Sequence, residues 1–111
     1  MYLGSHTSKY GNKRVGGFDS KRERDRFYEL QLLQRAGQII NLQRQVKFEL
    51  VPNQYKDGKC IYRKICYVAD FTYHLKDGTL VVEDAKGYRT AEYTIKKKLM
   101  YFIYKIQIKE T

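Results

Sequence analysis

The chain has 111 residues, with 22 Lys and Arg against 12 Asp and Glu, and a formal net charge of +10. This length suits one domain with one modest core, so recognition and any chemistry must share one surface. The basic excess favours a phosphate-rich polymer as partner, with a membrane surface as the competing partner. No 18-residue apolar run and no signal-peptide pattern is present, so we expect no membrane span and a cytoplasmic location.

The first 17 residues differ in composition from the rest of the chain. They carry several glycines and basic side chains, among them Lys13 and Arg14, and no acid. We therefore expect a flexible basic arm at 1–17, followed by a single domain at 18–111. Two interpretations of the arm stay open. It is either an irregular terminus or tag remnant, or an arm that binds a polyanion.

The two cysteines indicate neither a disulfide nor a metal site. Cys60 and Cys66 are expected in one strand, where about 3.3 Å per residue places them about 20 Å apart, beyond disulfide reach. With two histidines and no second cysteine pair, the chain has no zinc-site pattern. We expect two reduced thiols.

A first helix is predicted between Ser20 and Gly37. Ser20 is a typical N-cap, and Glu23 three residues later completes a capping box. Apolar side chains recur at helical spacing until the closing glycine. They are Phe27, Leu30, Leu33 and Ala36. The basic residues assigned to the outward face are Arg22, Arg26 and Arg35.

Three antiparallel strands are predicted next, at 39–51, 60–75 and 79–86. Alternating apolar and polar residues mark the first strand, which Pro52 ends. Asp57-Gly58 forms a hairpin turn before the second strand, and residues 76–78 connect the second strand to the third. One face of the second strand is apolar. It consists of Ile61, Ile65, Ala69, Phe71 and Tyr73.

A second helix and a short last strand complete the prediction. Thr90 is the expected N-cap, and an apolar stripe follows at helical spacing. The stripe consists of Ile95, Leu99 and Phe102, with Lys96, Lys97 and Lys98 just beyond it. Alternation at 104–109 predicts the last strand. The predicted order is therefore α-β-β-β-α-β, an α/β fold.

The presence of carboxylates on a protein basic enough to attract phosphate requires a physical explanation, and binding of a cation would provide one. Asp and Glu oxygens are preferred ligands of Mg²⁺, which neutralises phosphate and activates a water. A lysine beside them can stabilise the charge that develops on phosphorus. Asp70 on one strand and Asp84-Ala85-Lys86 on its neighbour have this form.

The register of the two strands decides whether these acids meet. A two-residue turn at 77–78 would place Asp70 opposite Ala85, on the wrong face from Asp84. A three-residue loop at 76–78, with Gly78 in the left-handed conformation, places Asp70 opposite Asp84, with side chains about 5 Å apart. We predict the three-residue loop. The alternative for this pair of acids is a surface hairpin with ordinary charges.

Four segments carry a resemblance to a known family. They are Phe18-Asp19-Ser20-Lys21-Arg22-Glu23, Gln45-Val46-Lys47-Phe48, Tyr67-Val68-Ala69-Asp70-Phe71 and Val82-Glu83-Asp84-Ala85-Lys86-Gly87. Together, over about residues 9–109, they resemble a family of small phage and prophage proteins of the PD-(D/E)XK nuclease superfamily, similar in layout to archaeal-type Holliday junction resolvases. The resemblance implies a restriction-endonuclease-like core with a mixed sheet flanked by two helices, in a bacterial host cell.

The resemblance also implies roles for individual residues. Asp70 and Asp84 would be the two acids that bind Mg²⁺ or Mn²⁺, and the Ala85 carbonyl would be a further ligand. Lys86 would be the catalytic lysine. Glu23 would be the helix acid that completes the metal site, in addition to its part in the capping box.

Three further positions bear on the match. Ala69 stands where the superfamily often has a proline, which many members lack. Glu83 is expected to point to the face opposite Asp84, away from the metal. Gln45 matches a glutamine of the family pattern, and its role stays open.

The implied activity is hydrolysis of DNA phosphodiester bonds, with branched DNA such as a four-way junction as substrate and no small-molecule substrate. A junction has two-fold character, so a homodimer would place one site on each of two strands. The expected DNA backbone contacts are Lys13, Arg14, Arg89, Lys96, Lys97 and Lys98. For the lysine run, the alternative is a solvated helix face.

Two other functions stay open. A phage accessory protein could keep the fold and bind DNA without the chemistry, with steep salt dependence and no response to divalent metal. A duplex-nicking or restriction-like nuclease would share the active site and differ only in its DNA substrate.

Overall fold

The computed structural model of the chain describes residues 16–85 and 89–111. Its helices there are α1 (Lys21–Arg35) and α2 (Ala91–Tyr104). Its strands there are β1 (Ile39–Val51), β2 (Gln54–Lys56), β3 (Lys59–Tyr62), β4 (Ile65–Leu75), β5 (Leu80–Asp84) and β6 (Lys109–Glu110). The α/β class is confirmed. The predictions for Lys13, Arg14 and Lys86 fall outside the described residues.

A four-stranded mixed sheet in the order β1-β4-β5-β6 forms the centre of the fold. β1, β4 and β5 pair antiparallel, whereas β6 pairs parallel to β5. A parallel pair needs a crossover connection, and α2 lies in that connection. The mixed sheet with two helices agrees with the prediction.

The two helices cover opposite faces of this sheet. Val82 packs in a core cluster with Tyr93 and Met100 of α2, whereas the adjacent Glu83 pairs with Arg26 of α1. Consecutive strand residues point to opposite faces, so α1 and α2 must lie on opposite sides. Neither of these two described helices is long and apolar enough to cross a bilayer.

Helix α1 begins and ends at the predicted signals. Ser20 Oγ accepts the Glu23 backbone N–H at 3.1 Å, and Gly37, just past the helix, has a φ of +79°. Leu30 is fully buried, but Leu33 is 38% exposed, so the buried stripe is narrower than predicted. The outward assignment of Arg26 was wrong, because its guanidinium neutralises a buried carboxylate of the sheet.

One predicted strand is two strands in the structure. The expected strand 60–75 is interrupted at Arg63 and Lys64, and β3 pairs with β2 in a separate two-stranded sheet. Lys64 donates its backbone N–H to the Asn53 side chain at 2.7 Å. Two consecutive charged residues, Arg63 and Lys64, interrupt the alternation at this point, and the predicted strand was drawn through them. The Asp57-Gly58 turn is confirmed, since both residues have positive φ, +53° and +77°.

Both cysteines are free thiols, as expected. Cys60 lies on β3 and Cys66 on β4. The reasoning that placed them in one strand was therefore wrong, although its conclusion was right.

Helix α2 buries a different face from the predicted one. Thr90 caps it as expected, with Oγ1 accepting the Tyr93 N–H at 3.0 Å. Tyr93 and Met100 are the buried residues, whereas Ile95 is 60% and Phe102 74% exposed. Of the predicted core stripe, Leu99 packs against the core cluster under α2, but the prediction was wrong for Ile95 and Phe102 because α2 has two apolar faces. Periodicity alone cannot choose between them, and the face with the large Tyr93 and Met100 side chains packs on the sheet.

The predicted last strand is largely helix and loop. α2 continues to Tyr104, and Lys105 ends it in the left-handed conformation, with φ +60°. β6 contains only Lys109 and Glu110. The apolar residues before it serve the core instead, since Ile108 is buried in the α2 cluster.

Candidate metal and nucleic-acid site

The turn between β4 and β5 has the predicted form. Leu75 donates its N–H to the Thr79 carbonyl at 2.9 Å, and Gly78 donates its N–H to the Leu75 carbonyl at 2.9 Å. Gly78 has a φ of +90°, which glycine adopts without strain. The three-residue loop at 76–78 is therefore confirmed.

Asp70 and Asp84 are neighbours across the β4–β5 ladder. Phe71 pairs with Glu83, and the next step of the antiparallel register places Asp70 opposite Asp84. Both acids are buried, at 8% and 0% exposure. Asp70 Oδ2 accepts the Ala85 backbone N–H at 2.8 Å. Carboxylate oxygens brought together on adjacent strands are the ligands that a hard divalent cation prefers, which makes the pair a candidate cation site.

Tyr67 holds the second of these acids. Its hydroxyl donates to Asp84 Oδ2 at 2.6 Å. Burial, and then the negative charges of Asp84 and Asp70, raise the pKa of Tyr67, so the hydroxyl stays protonated and remains a donor. Sequence reasoning missed this contact, because regular alternation places residues 67 and 70 on opposite faces of a strand.

The odd-numbered side chains of strand β4 change from one face of the sheet to the other at Asp70. Tyr67 and Ala69 belong to the core cluster under α2, whereas Phe71 and Tyr73 belong to the cluster under α1. In a regular strand these alternate residues would share one face, so the expected common face was wrong. Irregular strand backbone often marks a functional site.

Glu23 is buried at the first turn of α1, with 2% exposure. Its Oε1 accepts the Asp19 backbone N–H at 3.3 Å, and its Oε2 accepts Gln45 Nε2 at 2.9 Å. The capping box is therefore half formed, since the carboxylate binds the residue before the N-cap. Burial, and then the charge of Asp19, raise the pKa of Glu23 against the opposing effect of Arg44.

The structure brings Asp70 and Asp84 together and ties Glu23 to β1, the strand next to the one that carries Asp70. Among residues 16–85 and 89–111, no group of three or more His, Cys, Asp and Glu side chains is arranged to hold a metal ion. The gathering of Glu23, Asp70, Asp84 and Lys86 around one ion therefore stays a prediction. By donor chemistry, these buried carboxylates fit a hard divalent cation such as Mg²⁺.

Glu83 serves a different purpose from Asp84. It is fully buried and accepts Arg26 Nε and Nη2 at 2.5 and 3.0 Å and the Tyr73 hydroxyl at 2.6 Å. Burial alone would raise the pKa of Glu83, but the hydrogen bonds from Arg26 and Tyr73 outweigh it and hold the pKa below its ordinary value. Glu83 thus faces α1, as predicted, and fastens that helix to the sheet.

Three of the predicted DNA contacts pair with acids of the same chain. Lys97 Nζ and Arg89 Nε lie 2.8 and 3.2 Å from Glu110 Oε2, and Lys96 pairs with an acid one helical turn earlier. Hydrogen bonds from Lys97 and then Tyr93 hold the pKa of Glu110 at about 2. Glu110 pairs with Asp84 across β5 and β6. The basic side chains of Lys97 and Arg89 at Glu110 therefore lie beside the candidate site. Lys98 is exposed on α2.

Comparison with known proteins assigns the chain to a family. A search of curated proteins finds no significant match. A family model does match, over residues 7–111, which include both helices and every strand of the central sheet. The chain therefore belongs to the family described as "Protein of unknown function (DUF1064)".

Proposed function

We propose that this chain is a metal-dependent endonuclease that hydrolyses phosphodiester bonds of DNA. One observation carries the proposal: Asp70 and Asp84 are both buried, each next to a residue of the last pair of the β4–β5 ladder, Phe71 and Glu83, in a chain of net charge +10. Carboxylate oxygens placed in this way are the ligands that a hard divalent cation prefers. A basic surface attracts a polyanion. A divalent ion and a phosphate backbone account for both features at once.

The order of elements supports the same proposal. Apart from the β2–β3 hairpin, the chain runs through one helix, three antiparallel strands, a second helix and a parallel edge strand. This is the order that the resemblance to PD-(D/E)XK nucleases implies. We therefore propose a restriction-endonuclease-like core with an added hairpin.

Asp70 and Asp84 would hold Mg²⁺ or Mn²⁺, with Glu23 and the Ala85 carbonyl as further oxygen ligands. Such an ion supplies charge neutralisation at the phosphate and a bound water of lowered pKa. Lys86, two residues beyond Asp84, would stabilise the charge that develops on phosphorus.

The surrounding protein orients the two acids for this task. The Tyr67 hydroxyl holds one oxygen of Asp84, and the Ala85 N–H holds one oxygen of Asp70. Each bond limits rotation of a carboxylate that would otherwise turn away from its neighbour. Such hydrogen bonds commonly set the orientation of metal-binding carboxylates.

Branched DNA, such as a four-way junction, is the substrate that we propose, on the resemblance to Holliday junction resolvases. Arg89 and Lys97 lie at Glu110, next to Asp84. We propose that they bind backbone phosphates of the DNA near the bond that is cut. Lys96 would extend this contact along α2.

The test is cleavage of a labelled four-way junction and a linear duplex of the same sequence, with Mg²⁺, Mn²⁺ or EDTA. We expect nicks in the junction with either metal and none with EDTA. Preferential cutting of the duplex would support the nuclease activity but reject the junction as its substrate. Absence of cleavage of any DNA would reject the enzyme. Metal-independent binding with steep salt dependence would then favour the accessory protein.

A homodimer is the assembly that we propose, formed through the exposed apolar face of α2. Ile95 and Phe102 on this face are largely exposed, and Leu99 lies between them in sequence. If two α2 helices pack antiparallel about a two-fold axis near residues 98 and 99, Ile95 of one copy meets Phe102 of the other. The same register places Glu92 opposite Lys105. This complementarity favours a second copy as the occupant of the face.

Phe102→Glu should therefore convert the dimer to a monomer, because the dimer would bury an unpaired carboxylate. Light scattering after gel filtration should give twice the 13.3 kDa chain mass for the wild type and the single mass for the variant. Leu32→Glu is the control, since Leu32 is 61% exposed on α1, and should leave the mass unchanged. A monomeric wild type at micromolar concentration would contradict the dimer.

A further inference from the structure

Strand β1 contains two residues with an unusual backbone, and only one of them is explained by strand pairing. Asn41 has a φ of +58°, at a place where the β1–β4 register shifts between Ile40 and Gln43. Some β-bulges contain a left-handed residue, and asparagine tolerates the left-handed region better than most. Gln45 has a φ of +54°, although glutamine has no such preference.

No bulge accounts for the backbone of Gln45. Residues 44 and 46 pair with residues 71 and 69 in one unchanged register, so no residue is inserted there. The same register places Gln45 across from Asp70. The unusual backbone of Gln45 on β1 therefore lies across from the point at which β4 changes face, at the candidate metal site.

The left-handed backbone has a specific consequence for Glu23. Adjacent side chains of a regular strand point to opposite faces. Arg44 and Gln45 nevertheless both approach Glu23 Oε2, with Nη2 and Nε2 at 3.7 and 2.9 Å. The positive φ of Gln45 is what brings its amide to the same carboxylate as its neighbour. Backbone strain of this kind is retained where it serves a site.

We propose that Gln45 is a positioning residue whose amide orients the Glu23 carboxylate toward the Asp70–Asp84 pair, a role that rests on the proposed function. The amide is neutral and donates through Nε2, so it fixes the carboxylate without cancelling its charge. Arg44, by contrast, carries a compensating charge and lies farther away. Gln45 thereby ties the acid of α1 to β1, the strand next to the one that carries Asp70.

The first test compares the Mn²⁺ affinity of the full-length wild type, Gln45→Gly and Asn41→Gly by titration calorimetry. Glycine adopts φ +54° without strain, so Gln45→Gly removes the amide and keeps the backbone path. We expect a loss of affinity of about 10-fold or more, with a melting temperature that is unchanged or raised. Asn41→Gly makes the same change at the other strained position and should bind Mn²⁺ like the wild type.

The second test asks whether Gln45 affects Mn²⁺ binding through Glu23 or directly. In a Glu23→Gln background, Gln45→Gly should change the Mn²⁺ affinity by less than about twofold, because the carboxylate that it orients is already gone. Wild-type affinity in Gln45→Gly, or fold-losses that multiply in the double variant, would overturn the role of Gln45 and leave the nuclease proposal intact. A wild type that binds no Mn²⁺ would overturn both.

Discussion

Asp84→Asn should lower the rate of DNA cleavage on the order of 10³-fold, which corresponds to about 4 kcal/mol of transition-state stabilisation. Asparagine keeps the size of the side chain and can still accept the Tyr67 hydroxyl, now 2.6 Å from Asp84 Oδ2. It lacks the negative charge that, in the proposed site, would hold a divalent cation together with Asp70. The measurement is single-turnover cleavage of a labelled junction with Mg²⁺.

The melting temperature of Asp84→Asn shows whether the loss of cleavage comes from the missing charge or from misfolding. Asp84→Asn removes one of two neighbouring buried acids, so the melting temperature in EDTA should be unchanged or higher. Asp25→Asn is the matched control, because Asp25 is an exposed acid of α1 whose partner is Arg24. It should cleave like the wild type. Wild-type cleavage by Asp84→Asn would show that the acid pair is not the active site.

Arg26→Ala should lower the free energy of unfolding by about 3–5 kcal/mol, the cost of leaving a buried charge without its partner. The Glu83 side chain is fully buried, and the Arg26 side chain is only 20% exposed. The guanidinium makes two hydrogen bonds to this carboxylate and joins α1 to β5. Urea unfolding at pH 7 measures the loss.

A control and a rescue test this explanation. Glu29→Ala removes the exposed partner of Arg26, 3.0 Å away, and should cost less than about 1 kcal/mol. Replacing Arg26 and Glu83 together with methionine should recover most of the stability, because no buried charge remains. Equal losses for Arg26→Ala and Glu29→Ala would contradict a buried ion pair.

The ion pair of Arg26 and Glu83 also makes the stability of the fold depend on pH. The pKa of Glu83 is lower in the folded chain than its ordinary value of 4.5. Its contribution to stability is therefore fully present above about pH 4.5 and is lost as the pH falls through the lower, folded value. The wild type should lose stability between pH 5 and pH 3, and Arg26→Ala should lose less across that interval.

Local signals in the sequence were sufficient to predict the acid pair. The Lys76-Asp77-Gly78 loop sets the β4–β5 register through one left-handed glycine, and that register places Asp70 opposite Asp84. The caps at Ser20 and Thr90 were predicted for the same reason, since each depends on residues only three positions apart. Short-range hydrogen bonding is visible in the order of residues.

Features that depend on packing could not be predicted in this way. The contact of Tyr67 with Asp84 exists because β4 changes face at Asp70, and no residue pattern marks that change. The buried face of α2 was missed because both of its faces are apolar, and only the sheet beneath selects one. The resemblance pointed to Gln45, but its contact with Glu23 depends on a backbone angle.

A crystal structure of the chain with Mn²⁺ tests the central claim most directly. We expect an anomalous peak about 2.0–2.3 Å from a carboxylate oxygen of both Asp70 and Asp84. Anomalous density at other surface acids, with none between these two residues at saturating Mn²⁺, would contradict the assignment of a metal-dependent nuclease site.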